Sequence, residues 1–112
     1  MEKQRNGLLN MTKTSLLTLK DTDFKPYLGT TFKVFFQEAI STPAKLKTVV
    51  DLPVHPKIER RPFSILLETE NQKPYYPQAI YTVEHPALGA LSIFLVPVGP
   101  GLDGMQYEAV FS

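Results

Sequence analysis

The residues able to do chemistry are few and scattered. Histidine, whose charge changes nearest neutral pH, occurs twice, as His55 and His85. Each stands directly before a proline (Pro56 and Pro86), which pushes it toward extended backbone and makes it a natural strand-to-turn residue. In that turn His85 could hydrogen-bond backbone groups and fix the corner. A zinc site needs three or four converging ligands, and His55, His85, Glu84 and Asp51 match no ligand spacing. His85 with Glu84 or Asp51 still has the residue types of general acid–base chemistry, and is carried as an enzymatic alternative.

Paired carboxylates are available at Asp21/Asp23, Glu68/Glu70 and Glu84/Glu108. Glu68 and Glu70 are two apart on one strand candidate and so share a face, expected to be the wet one. None of Ser15, Ser41, Ser64, Ser92 or Ser112 lies in a G-x-S-x-G elbow. Without cysteine there is no disulfide, thiolate zinc site or cysteine nucleophile. The glycine-rich stretch Gly99–Gly104 lacks the Lys-Ser/Thr of a phosphate loop and precedes a strand, so it reads as a hairpin turn. No cofactor or metal is implied.

Two segments carry the residue types of a contact surface. Lys57-Ile58-Glu59-Arg60-Arg61 is the densest basic patch, diluted by Glu59, and Lys73-Pro74-Tyr75-Tyr76-Pro77 sets two tyrosines in a proline loop. Aromatics beside cations can anchor a protein partner or stack on a ligand. Phe35, Arg60, Arg61, Tyr75 and Tyr76 are therefore the candidate partner or ligand contacts.

These residues must be positioned by short strands. Proline and glycine fall between runs rich in β-branched and aromatic residues, and Pro43, Pro53, Pro62, Pro77, Pro86 and Pro100 read as strand punctuation. The runs are Thr31–Glu38, Leu46–Leu52, Phe63–Glu70, Gln78–Glu84, Leu91–Val98 and Met105–Phe111. Five alternate apolar with polar, the pattern of antiparallel strands with one wet face. Leu91–Val98 is apolar on both faces and is expected to be central or covered on its outer side. Short links after strands four and five point to a meander. A short helix is expected over 22–29, with Thr22 as N-cap, Pro26 limiting it to two turns and Gly29 closing it. Phe24, Tyr27 and Leu28 would then plug one end of the sheet. The fold class is all-β and mainly antiparallel: a six-stranded small barrel or compact sandwich with one short N-terminal helix. Residues 1–15 read as a mobile N-terminal arm and 16–112 as a single domain.

Composition bounds the rest. The chain has 112 residues, 43% of them hydrophobic and 21% charged, with a net charge of +1. That balance excludes wholesale disorder and gives no electrostatic footprint for nucleic acid or an anionic membrane. No segment has the apolar core of a secretory signal or the ~20 apolar residues of a membrane helix, so a cytoplasmic product is expected.

From Leu17 to Phe111 the chain resembles a family of small bacterial domains of unknown function. The resemblance rests on Leu17-Thr18-Leu19, Phe24, Leu28-Gly29-Thr30-Thr31-Phe32, Arg61-Pro62-Phe63-Ser64-Ile65-Leu66, Pro77-Gln78-Ala79-Ile80-Tyr81, Glu84-His85-Pro86-Ala87-Leu88-Gly89, Phe94-Leu95-Val96-Pro97-Val98-Gly99 and Tyr107-Glu108-Ala109-Val110-Phe111. Ala79 stands where a glycine is expected. The resemblance carries over no catalytic residue. It implies an association with phage-tail-like gene clusters, and with it a structural or assembly role.

The expected function is a non-enzymatic structural or protein-interaction module, whose partner is a second copy or another assembly component. A small-molecule-binding barrel, with Tyr27, Tyr75, Tyr76 and Tyr81 around its mouth, is the second reading, and an enzyme built on His85 the third.

Overall fold

Alternating side chains roll the chain into a closed antiparallel barrel. In the computed structural model, which describes residues 19–53 and 61–112, the strands are β1 (Thr31–Gln37), β2 (Ile40–Asp51), β3 (Phe63–Thr69), β4 (Ala79–His85), β5 (Gly89–Pro100) and β6 (Met105–Phe111). They close in the order β1-β2-β3-β6-β5-β4. Inward positions such as Val34, Leu46, Leu67, Val83, Ile93 and Leu95 are fully buried and fill the interior, as a barrel of this size requires. Closure rather than a sandwich removes the sheet edges.

The simple meander is corrected. β4 lies beside β1, so β4-β1-β2-β3 forms a Greek key, and β3-β6-β5-β4 forms a second one. Short turns dictate that consecutive strands pair. Where the long link between Thr69 and Ala79 delivers β4 is decided only by closure.

Aromatic side chains stop both ends. Before β1, α1 (Asp21–Phe24) runs into a 3₁₀ turn (Lys25–Tyr27) that places Phe24 over one end. Its ring lies 5.8 Å from Phe63, 5.5 Å from Phe111 and 6.5 Å from Phe32. The expected Thr22 cap is corrected to Lys20, because the Asp23 carboxylate accepts the Lys20 N–H at 2.8 Å and the helix begins two residues earlier. Leu28 is 45% exposed rather than part of the plug, since the chain leaves helical geometry there and turns at Gly29 (φ +83°). At the other end Phe36 stacks on Tyr76 at 4.5 Å and packs against Tyr81 and Tyr107.

Three further expectations change. Pro43 lies inside β2, not between strands, and Pro100 lies within β5 as its last residue. The missing N–H of Pro43 removes no β2–β3 bond, because β3 ends at Thr69 opposite Ala44. Glu68 is buried, not wet: the turn between β5 and β6 folds over it, and its carboxylate accepts the N–H groups of Asp103 (2.7 Å) and Gly104 (2.9 Å) and the Gln106 amide (3.0 Å). Finally, no described residue covers the outer side of β5, where Phe94 and Val98 are both half-exposed. Residues 1–15 and His55 lie outside the described residues.

Candidate functional site

His85 ends β4 and is almost fully buried against the rings of Tyr27 and Phe32, at centroid distances of 4.7 and 4.4 Å. Its Nδ1 accepts the Ala87 N–H at 3.1 Å, which leaves Nε2 to carry the proton toward Thr30 Oγ1, also at 3.1 Å. Thr30 Oγ1 in turn donates to the Tyr27 carbonyl at 2.6 Å. Burial lowers the imidazole pKa below its usual 6.5, in keeping with a neutral ring. His85 thus fixes the β4–β5 corner to the 3₁₀ turn, as its place before a proline suggested.

The residues proposed to work with it are not assembled around it. Glu84 points to the opposite face of the same strand, opposite Lys33 on β1. Asp51 is engaged by Lys25 at 3.7 Å and Arg61 at 4.0 Å. Lys25 also pairs with Asp21 at 2.8 Å, and that hydrogen bond chiefly holds the Asp21 carboxyl below its ordinary value. Both ring nitrogens of His85 already have partners, and neither partner is a carboxylate. Among the described residues no cluster of three or more His, Cys, Asp or Glu could hold a metal ion.

The aromatic mouth is also divided. Tyr27 lies at the Phe24 end, whereas Tyr76 and Tyr81 close the Phe36 end. Tyr76 is therefore a packed residue, with its N–H donated to the Tyr107 hydroxyl at 2.9 Å. Tyr75 beside it is 61% exposed, Phe35 is half-buried on β1 and Arg61 is exposed. Arg60 lies outside the described residues.

The feature that sequence reading passed over is a face of the barrel. On β4 and β5 the outward side chains Ile80 and Phe94 stand directly opposite each other, 69% and 50% exposed. The next outward position of β5, Val96, pairs with Glu108 of β6, which pairs with Leu66 of β3. One step on, Val110 pairs with Ser64, which pairs with Val50 of β2. Val110 and Val50 are 58% and 47% exposed. The signal was present in the two-faced apolar pattern of β5; its meaning needed the exposure of Phe94 and Val98 among the described residues. Toward β1 and the start of β2 the outer surface is mixed, with Thr31, Lys33, Ser41 and Lys45 exposed beside Ile40, which is 59% exposed.

Among the described residues no helix is long and apolar enough to cross a membrane. No curated protein and no solved structure matches the chain. Residues 19–111, from two residues before α1 to the last residue of β6, match the family model described as a domain of unknown function (DUF6916), and the chain belongs to that family.

Proposed function

We propose that this domain is a non-enzymatic interaction module that assembles through the apolar outer face of β3-β6-β5-β4, with a second copy of the chain as its occupant. The observation that carries this reading is the cross-strand pair Ile80–Phe94, two large apolar side chains facing solvent side by side. With Val110 of β6 and Val98 of β5, and Val50 of β2 at the border, they present on the order of 400 Å² of apolar surface, the size of the largest apolar patch on an ordinary monomer, which is often functional.

A second copy is favoured by the shape of the pair. A two-fold axis passing between Ile80 and Phe94 sets each against the other residue of the partner copy, an isologous contact. Glu108 is the one charged side chain in the rows linking Ile80, Phe94, Val96, Leu66, Val110 and Val50. With a net charge of only +1, two copies meet little long-range repulsion. The setting we propose is a bacterial tail-like or surface assembly, which rests on the family resemblance. Sedimentation of the wild-type chain beside Phe94→Asp tests the docking face directly.

A further inference from the structure

At the β4–β5 corner, four residues along those strands from Ile80 and Phe94, the outer surface of β1 and β2 helps to line a cleft of about 680 Å³. That volume is in the range of a ligand site. Four outward side chains cross it in register on adjacent strands: Ala90 on β5 opposite Glu84 on β4, Glu84 opposite Lys33 on β1, and Lys33 opposite Pro43 on β2. The row reads apolar, anion, cation, apolar. Neighbouring strands lie about 4.8 Å apart, so it spans roughly 15 Å.

Opposite charges on facing positions usually close on each other. Here they do not: the ion pairs among the described residues involve Asp21, Lys25, Asp51 and Arg61, and neither Lys33 nor Glu84 enters one. Both charges remain available at the cleft, with the hydroxyl side chains of Thr31 and Ser41 beside them. The wall is held in place from below, since His85 ties the corner to Thr30 and Ala87, and Gly89 turns it with φ +78°. A wall fixed before binding lowers the ordering cost of binding.

We propose that this cleft binds an extended peptide segment carrying one basic and one acidic side chain between apolar ones, its cation against Glu84 and its anion against Lys33. The length of the row matches about five extended residues. Charge complementarity at two neighbouring points selects such a segment over a purely acidic or purely basic one.

The test is titration of the isotope-labelled protein with capped Leu-Lys-Gly-Glu-Leu, followed by amide NMR shifts. Saturable shifts are expected at Thr31, Ser41, Gly89 and Ala90. Replacing both charged peptide residues by Gln should weaken binding about tenfold or more, and so should Lys33→Glu or Glu84→Lys in the protein. Both protein positions face outward, and an otherwise unchanged amide spectrum confirms that each variant is folded. Lys33→Glu with Glu84→Lys should recover binding, because the segment can lie in the reverse direction. Absence of saturable shifts, equal binding of the Gln peptide, or equal binding of free lysine and glutamate would overturn the proposal. Phe94→Asp should leave this binding unchanged, so the cleft and the docking face stand or fall separately.

Discussion

Glu68 on β3 accepts the backbone N–H of Gly104 at 2.9 Å, joining two residues 36 apart in sequence and clamping the β5–β6 turn onto the barrel wall. The same carboxylate takes the N–H of Asp103 and the side-chain amide of Gln106. Burial alone would raise its pKa, yet the bonds from Gln106, Asp103 and Gly104, with Lys47 nearby, outweigh burial and hold it below 4.5.

Glu68→Ala leaves two turn N–H groups without their acceptor, and we expect it to cost about 2–3 kcal/mol in urea unfolding at pH 7. Glu68→Gln, which keeps one acceptor oxygen, should cost less. Because the folded pKa lies below the unfolded one, the stabilisation is complete above pH 4.5 and is lost as pH falls through the folded value. The wild type and Glu68→Gln should therefore converge in stability as pH falls below 4.5 through the folded value; a gap that stays constant would show that ionisation of Glu68 is not the source.

Gly104→Ala should be among the most damaging single changes. A Cβ built at Gly104 overlaps the Thr69 carbonyl, which belongs to the backbone of β3 and cannot rotate away. The expected loss is about 3 kcal/mol or more, read from the thermal midpoint. At Gly101 the added methyl would meet the Glu68 carboxylate at 2.5 Å, the end of a side chain, so a smaller loss is expected there.

His85→Ala removes both corner hydrogen bonds and two ring contacts, and we expect about 2–4 kcal/mol of destabilisation. The pH dependence has a definite sign. With the folded pKa depressed below 6.5, the neutral ring's contribution is present above pH 6.5 and is lost as pH falls through the folded value. Stability measured from pH 7 to pH 5 should decline more steeply in the wild type than in His85→Ala. Equal slopes would contradict the assignment of a neutral buried ring.

Phe24→Ala empties the plug between Phe32, Phe63 and Phe111, and about 3–5 kcal/mol should be lost. The measurement is denaturant unfolding, with the barrel's strand signal in circular dichroism retained below the transition.

The strands were legible because inward positions alternate, as in Phe63, Ile65 and Leu67, and because Pro62 and Gly89 punctuate them. Phe24 was legible as a plug for the same reason: an isolated aromatic on a short helix has only the barrel end to bury itself in. Pairing order was not, since local pattern constrains only neighbours joined by tight turns, and the Greek key is made by the long link before β4. Glu68 was misread because its face is outward; the turn that buries it is distant in sequence. Tyr76 resembled Tyr75 in its proline loop, and only the stacking on Phe36 separates the packed residue from the exposed one. The docking face was half legible. The apolar outer side of β5 announced a cover, and the absence of one within the described chain turns that pattern toward a partner.

The central claim is that Phe94 and Ile80 form a self-docking face. Sedimentation velocity of the wild-type chain across a concentration series reaching hundreds of micromolar should show a reversible dimer. Phe94→Asp, which sets a charge in the middle of that face, should sediment as a monomer with unchanged circular dichroism, its self-affinity lowered by about 2 kcal/mol or more. A wild-type chain that stays monomeric over the whole range, or a Phe94→Asp variant that dimerises as the wild type does, would contradict the account.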